Sequence, residues 1–357
     1  MERALSWAER GRGRTSPNPT VGAVVVSPDG IVVGQGAHLV AGGPHAEVIA
    51  LDAAGALAKD ATIYCTLEPC SHTGRTGPCV ERIVEAGISR VVAAVRDPDP
   101  RVSGRGFAYL RERGIEVVAD VGRDAARAQH AAFFAWITLK RPYVIVKSAF
   151  SQDGFVGEPD RRVKLTGAVA DRYFHRQRAE IDAIAVGSNT VMVDDPLLTA
   201  RGVYRYRPLT RVIFDWRGRV SPSARVFSTL SAGPVIMVVS RSAADERVSW
   251  VEALRELGVE IATFDTRDLR PVLTWLANRP ILSLLVEGGP ALQAAFADAA
   301  LVDRAQWVMT PQRLGHGVRA HPVPAGMPVD ATRRVQLGDD LLMEFDVHRI
   351  NRSHRPH

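Results

Sequence analysis

An α/β protein of two successive domains is the fold class that the sequence predicts. Three observations point to it. The chain has 357 residues, more than a single domain ordinarily holds. Short apolar extended runs alternate with helical stretches, the pattern of a sheet layered with helices, and the alternation starts afresh after residue 142. Between the two series, the helical stretch ARAQHAAFFAWITL closes on Lys140-Arg141-Pro142, and proline cannot continue a helix.

In the first half, residues 1–142, ERALSWAER reads as a short amphipathic helix. GAVVVSP and IVVGQGAHL are strand runs joined through the turn Pro28-Asp29-Gly30. HAEVIALDAAGAL has helical spacing, ATIYCTLE is rich in β-formers, and CVERIVEAG is helical up to its stop at Gly87. SRVVAAVRD (strand), GFAYLRERG (helix) and IEVVAD (strand) bring this half to five strands. In the second half, residues 143–357, YVIVKSAF opens a new series: IDAIAVG, TRVIFDW, PVIMVVS, VEIATF and ILSLLVEGG. No internal repeat or low-complexity linker interrupts the chain, and the closing NRSHRPH is polar and expected to fray.

A hydrophobic fraction of 46% beside 24% charged residues suits globular domains with sizeable cores. No run is long and apolar enough to span a bilayer, and MERALSWAERGRGR lacks the apolar centre of a signal peptide, so a cytoplasmic protein without a membrane partner is expected. The net charge of +6 comes without a Lys/Arg run interleaved with aromatics; locally placed arginines for a small phosphorylated substrate explain it as well as nucleic acid does. The three cysteines, at 65, 70 and 79, argue against a disulfide framework and leave metal binding or burial.

Catalytic zinc needs three protein ligands, an open fourth position and a nearby group that moves protons. PHAEVIAL places His45 and Glu47 at a helix start, and LEPCSHTGRTGPC supplies Cys70 and Cys79, each preceded by proline. Cys79 opens the next helix, where the dipole favours a thiolate. An isolated HxE is commonplace, and two cysteines alone are equally well explained as buried packing. Jointly, HAE followed by PC…PC matches the H-x-E…P-C signature of zinc deaminases. Zinc on His45, Cys70 and Cys79, with Glu47 as proton carrier, is therefore expected. Cys65 alternates into ATIYCTLE as a packing residue, while His72 either contacts substrate or orders the inter-cysteine loop.

The runs TSPNPTVGAVVV, GAHLVAGGPHAEVIAL and ATIYCTLEPCSHTGRTGPCVERIVEAGISRVVAAVRDPDPRVSGRGFAYLRERGIEV resemble the deaminase domain of the bacterial bifunctional riboflavin-biosynthesis deaminase/reductases, nearly continuously from residue 3 to about 122. The eight residues SHTGRTGP between Cys70 and Cys79 differ from the PCxxC of cytidine, guanine and tRNA adenosine deaminases. The resemblance implies a cytidine-deaminase-like α/β/α domain over 1–142, acting as a zinc-dependent pyrimidine deaminase, with Asn18 at the pyrimidine. The implied substrate is a diaminopyrimidinone ribosylamine 5′-phosphate, which loses its 2-amino group as ammonia.

KSAFSQDGFVG, VGSNTVMVDDPLLTAR and LLVEGGPALQAAF resemble three motifs of the reductase domain in the same family. They imply a dihydrofolate-reductase-like α/β domain over 143–357 that uses NADPH to open the ribosyl group to ribityl. A Gly-Gly turn that follows a buried strand and opens a helix suits a dinucleotide phosphate, although EGG alone serves equally as a structural turn. By this resemblance Thr190 and Asp194 lie near cofactor and reacting sugar, and Gly288 and Gly289 contact NADPH. Leu198, Arg201 and Arg172 hold the phosphate end of the substrate, the two arginines being otherwise solvated charges, and Glu287 binds ribosyl hydroxyls. Lys147 either orients the sugar or is a surface lysine at a strand end. A homo-oligomer, dimer or tetramer, is implied through this domain.

The chain departs from the family pattern in three places. The usual S-x-W-I-T is Arg162-Val163-Lys164-Leu165-Thr166, the closing LN of the deaminase domain is Gln129-His130, and DSxxR is Asp215-Trp216-Arg217-Gly218-Arg219. Long cations in place of a small hydroxyl and a flat indole either obstruct a nicotinamide or turn away from it. One alternative that follows is a deaminase with an idle reductase-like domain in a side branch, such as one leading to toxoflavin-like azapteridines. A nucleic-acid base deaminase with a binding module is another, opposed by the inter-cysteine loop and the reductase-like motifs.

Overall fold

In the computed structural model the described residues are 1–71, 77–100, 102–320 and 333–347. The chain divides into two compact units, Met1–Arg141 and Pro142–His357.

The first unit is built on a five-stranded sheet of β1 (Gly22–Val26), β2 (Val32–Ala37), β3 (Thr62–Cys65), β4 (Arg90–Ala93) and β5 (Glu116–Val118), in the order β2-β1-β3-β4-β5. β1 runs antiparallel to both its neighbours, whereas β3, β4 and β5 are parallel. Six helices cover the sheet: α1 (Glu2–Ala8), α2 (Ala46–Ala54), α3 (Cys79–Glu85), α4 (Arg105–Glu112), α5 (Arg123–Gln129) and α6 (Ala131–Leu139). Ala23, Val25, Ile63, Cys65 and Val91 from the strands meet Ala50, Val80 and Ile83 from the helices in one fully buried core. Cys65 thus packs there as the strand alternation requires.

Two glycines set how closely α2 lies on the sheet. A Cβ at Gly34 would stand 2.1 Å from the Ala50 carbonyl oxygen, and one at Gly36 would stand 2.4 Å from that of Ala46. Helix and strand therefore meet backbone to backbone, and the start of α2, carrying His45 and Glu47, is fixed against β2. The stretch ARAQHAAFFAWITL is two helices, not one. They meet at His130, whose ring is drawn into the core, with Nε2 3.2 Å from the Thr66 carbonyl oxygen. Burial holds this ring neutral, pushing its pKa down to about 4.

The second unit carries a nine-stranded sheet in the order β11-β10-β9-β8-β12-β6-β13-β16-β15. The strands are β6 (Tyr143–Phe150), β8 (Ala183–Gly187), β9 (Thr210–Phe214), β10 (Val235–Ser240), β11 (Glu260–Phe264), β12 (Ser283–Gly288), β13 (Arg304–Met309), β15 (Arg333–Leu337) and β16 (Asp340–Asp346). β7 (Phe155–Gly157) and β14 (Val318–Arg319) pair apart from it. The stretch from β11 to β13 is parallel, and its strands up to β6 are near-continuous apolar runs, as in sheets covered on both faces. The helices are α7 (Ala168–Glu180), α8 (Ser188–Asp194), α9 (Arg241–Glu246), α10 (Val248–Glu256), α11 (Leu269–Ala277) and α12 (Pro290–Asp298). Strands β13, β15 and β16 are absent from the sequence reading, and beyond β13 the last two add an antiparallel edge. Their polar residues Arg304, Gln306 and Glu344 break the apolar runs that mark the other strands.

The order of strands reverses around β6, which lies between β12 and β13 although β8 follows it in sequence. In open α/β sheets such a reversal leaves a crevice beyond the carboxyl ends of the strands. The ends of β8 and β12, with the glycines 187, 288 and 289, meet there.

Gly36→Ala should lower the stability of the first unit by about 1–3 kcal/mol through overpacking. Gly77→Ala, where a Cβ meets nothing within 4 Å, should leave it unchanged. Thermal unfolding of the two variants side by side checks this; equal melting temperatures would refute the close α2–β2 contact.

Candidate functional site

The first unit contains a cavity of about 620 Å³ lined by Asn18, His38, His45, Glu47 and Cys70 among others. Three chain segments converge on it. His45 is the N-cap of α2, so its ring projects from the helix end, and Glu47 sits in the first turn, buried at 4% exposure. Cys70 lies in the loop after β3, and Cys79 is the first residue of α3 behind Pro78. The Cys79 N–H donates to the Cys70 sulfur at 3.3 Å and the Val80 N–H to the Cys70 carbonyl at 3.2 Å. The start of α3 therefore spends its unpaired amide donors on Cys70.

His45 Nδ1 is 3.2 Å from Cys79 Sγ and 3.6 Å from Cys70 Sγ, and the three donor atoms all lie within 4.8 Å of one another. A tetrahedral zinc with bonds of ~2.0 Å to nitrogen and ~2.3 Å to sulfur holds such atoms ~3.5–3.8 Å apart, so the set fits the ion. Two thiolates and an imidazole are the donors zinc takes over hard cations. Hydrogen bonds from Cys79 and His45 bring the Cys70 thiol well below its usual pKa against the effect of burial, so its metal-binding form is favoured. The Cys79 thiol moves up, through its hydrogen bond with Cys70 and its burial. Burial also raises the Glu47 carboxyl, with His45 opposing.

Asn18 is oriented by hydrogen-bond logic. His38 Nδ1 is 3.0 Å from the Pro44 carbonyl, an acceptor only, so this nitrogen carries the proton. His38 Nε2 then accepts from Asn18 Nδ2 at 3.0 Å, which leaves Asn18 Oδ1 as an acceptor. Asp97 and Asp99 also line the cavity, in the DPDP run that follows β4, and burial lifts the Asp97 carboxyl to about 7. The sequence reading did not single them out; acidic residues just past the carboxyl end of a parallel strand were the available signal. Glu68 supports this wall: its carboxylate accepts the N–H groups of Asp97, Gly104, Gly106 and Phe107. His72 lies outside the described residues.

In the second unit a cavity of about 440 Å³ occupies the sheet's carboxyl-end crevice. Lys147, Thr190, Asp194, Arg201, Glu287, Gly288 and Gly289 all line it. Lys147 lies within β6 instead of at a strand end, with Nζ 4.6 Å from the Phe174 ring centroid, and burial lowers its pKa. Two of the expected residues lie apart from the lining of this cavity. Arg172 is exposed on α7 and does not line the cavity; Asp171, Phe174, His175 and Arg178 do, at the i, i+3, i+4, i+7 spacing of one helix face. Arg172 follows Asp171 by one residue, about 100° round the helix. Leu198 is buried at 3% exposure with φ +55° and does not line the cavity either.

The missed residue Arg178 makes a two-pronged ion pair there with both Glu287 oxygens at 2.6 Å. Burial pushes the Glu287 carboxyl up, but Arg178 outweighs it and the pKa falls to about 2. A Cβ on Gly288 would stand 3.1 Å from Thr190 Oγ1 and one on Gly289 3.3 Å from it. The glycine pair thus lies bare against Thr190 at the start of α12, a backbone surface that a dinucleotide can approach closely. These residues fit NADPH.

Residues 142–340 match the family model of the RibD C-terminal domain, and residues 1–95 that of the cytidine and deoxycytidylate deaminase zinc-binding region. The chain is 40% identical over 351 residues to the riboflavin biosynthesis protein RibD of Aquifex aeolicus, covering 97% of each. To that of Escherichia coli it is 38% identical over 332 residues, covering 89% of each. Among solved structures, the diaminohydroxyphosphoribosylaminopyrimidine deaminase/5-amino-6-(5-phosphoribosylamino)uracil reductase of Thermotoga maritima superposes with a TM-score of 0.86 at 33% identity over 97% of both chains. RibD of Acinetobacter baumannii gives 0.85 at 32% identity, again over 97% of both.

Alanine at His45, Cys70 or Cys79 should reduce bound zinc from about one ion per chain to nearly none, whereas Cys65→Ala should keep it; elemental analysis of the purified variants decides. Glu287 makes a pH prediction. Its folded pKa of about 2 lies below the ordinary 4.5, so its stabilisation is complete above pH 4.5 and lost as pH falls towards 2. Urea unfolding should show a loss of roughly 3 kcal/mol over that window, absent in Glu287→Gln. An unchanged slope in the variant would refute the assignment.

Proposed function

The chain belongs to the RibD family, and from that premise we propose that His45, Cys70, Cys79 and Glu47 carry out its deamination and that the cavity around Glu287 carries out its reduction. The protein is a bifunctional enzyme of riboflavin biosynthesis: a zinc-dependent deaminase followed by an NADPH-dependent reductase. Its substrate is a small phosphorylated pyrimidine. The observation that carries the site assignment is the convergence of one imidazole and two sulfurs within 4.8 Å beside the buried Glu47 carboxylate.

His45, Cys70 and Cys79 would hold zinc, which when bound would supply an electrophile that acidifies water. Glu47 takes the proton from the water that adds to the amine-bearing carbon. The same carboxyl returns it to the departing nitrogen, so that ammonia leaves and a carbonyl remains. Its burial suits this, because a carboxyl raised above its ordinary pKa is a better proton acceptor than an exposed carboxylate. Asn18 Oδ1 accepts from a ring N–H of the pyrimidine, its amide held the right way round by His38. Asp97 and Asp99 lie across the same cavity, as acceptors for sugar hydroxyls.

The reductase cavity would hold NADPH, which when bound would supply the hydride for the sugar carbon that bears nitrogen. Glu287, fixed by Arg178, accepts from ribosyl hydroxyls, and Lys147 donates to the sugar oxygen that opens. Thr190 and the Gly288-Gly289 backbone receive the cofactor. Arg201 takes the phosphate end of the substrate. The alternative of an idle reductase-like domain has little to support it, since Lys164 is paired with Asp171 and does not stand free in the cavity.

No helix among the described residues is long and apolar enough to cross a membrane. We place the enzyme in the cytoplasm, where thiol ligands stay reduced, and propose a homo-oligomer, dimer or tetramer, with light scattering as its check.

Glu47→Gln should fold and retain zinc yet lose ammonia release by a factor of about 10²–10⁴, while NADPH oxidation with the deaminated intermediate continues. A coupled assay of ammonia and NADPH absorbance measures both at once. A Glu47→Gln enzyme with normal ammonia release would overturn its role, and intact wild-type deamination without NADPH loss would overturn the assignment of the second cavity.

A further inference from the structure

The two cations Arg162 and Lys164, which replace the small hydroxyl and indole of the family motif, have separate roles in the structure. Lys164 Nζ lies 3.0 Å from Asp171 Oδ2, and Thr166 donates to the other oxygen of that carboxylate at 2.7 Å. Arg178 is engaged by Glu287, and Arg161 by Glu158. Among the described residues no hydrogen bond or ion pair engages the guanidinium of Arg162 or that of Arg201, and both side chains line the reductase cavity. Burial, Arg178 and Arg162 together lower the pKa of Arg201, so the two guanidiniums act on each other unfavourably. Asp194 also feels the charge of Arg162, but no ion pair joins them. Two unpaired guanidiniums facing one cavity gain most from a ligand that carries about two negative charges and several acceptor oxygens, which is a phosphate monoester.

We infer that Arg162 and Arg201 form a two-armed site for the 5′-phosphate of the pyrimidine substrate, which makes Arg162 a substrate-binding residue that the departure from the family motif has introduced. The inference rests on the reductase reading above. The bare Gly288-Gly289 backbone beside Thr190 suits close approach of the NADPH pyrophosphate, which leaves the arginine pair for the sugar phosphate. NADPH also carries a phosphate monoester on its adenosine, and the test separates the two sources.

Arg162→Ala and Arg162→Ser are assayed on the full chain with the deaminated intermediate and NADPH, with ammonia release by the first unit followed as evidence that the chain is folded. Removal of one charge-assisted contact should raise KM for the phosphorylated pyrimidine about tenfold or more, well beyond any change in kcat, with KM for NADPH unaltered. An unchanged pyrimidine KM, or a rise confined to NADPH, overturns the inference. A second readout does not need turnover: inorganic phosphate should raise the melting temperature of the wild type more than that of Arg162→Ala. Should the wild type fail to oxidise NADPH with the intermediate, the reductase reading is what fails. The phosphate shift then decides Arg162 on its own, equal shifts overturning the site.

Discussion

The meeting of two helix starts around one sulfur governs the chemistry of the first unit. Helix α3 directs its first N–H at Cys70 Sγ, while α2 brings His45 to within 3.6 Å of the same atom. A helix start carries unpaired N–H groups and the positive end of the peptide dipoles, so it favours an anionic sulfur and steadies it. Each partner is placed by something deeper. The depth of α2 follows from the bare backbone of Gly34 and Gly36, and the loop that ends in Cys70 is tied through Glu68 to the start of α4. Donor geometry at the ångström level is thus supported by close packing and hydrogen bonding one layer away.

The second unit meets a different constraint, the management of charge. Its cavity gathers Lys147, Arg162, Lys164, Arg178 and Arg201. Like charges in a half-buried crevice are tolerated when carboxylates neutralise some of them. Glu287 and Asp171 do so for Arg178 and Lys164. Glu287 accordingly remains ionised while buried, an acceptor for hydroxyls that a protonated carboxyl would not provide. The cations left without carboxylates define where a phosphate gains most, and the glycine pair beside Thr190 defines where a large cofactor can approach backbone.

The two units use helix starts in opposite ways. In the first, the starts of α2 and α3 present the side chains of His45, Glu47 and Cys79. In the second, the start of α12 offers bare backbone, because a Cβ on Gly288 or Gly289 would press against Thr190. Side chains suit a small ion that demands fixed ligands, and backbone suits an extended ligand that is recognised over its length.

By itself the sequence determined the parts whose physics is local. HAE and PC…PC name a donor set because ligand chemistry depends on residue type, and every strand before residue 290 that belongs to the parallel core announces itself as an apolar run. Strands β13, β15 and β16 gave no such signal, since Arg304, Gln306 and Glu344 interrupt their apolar pattern and their pairing is set by neighbours distant in sequence. Which arginine of α7 faces the cavity was likewise decided only by tertiary structure. Arg172 and Arg178 are alike in composition and stand on the same helix, but the rotation of α7 on the sheet turns Asp171, Phe174, His175 and Arg178 inward and leaves Arg172 in solvent. That Lys164 meets Asp171 while Arg162 meets no carboxylate among the described residues was undetermined for the same reason. A side chain's charge is written in the sequence, while the carboxylate that neutralises it is found by folding.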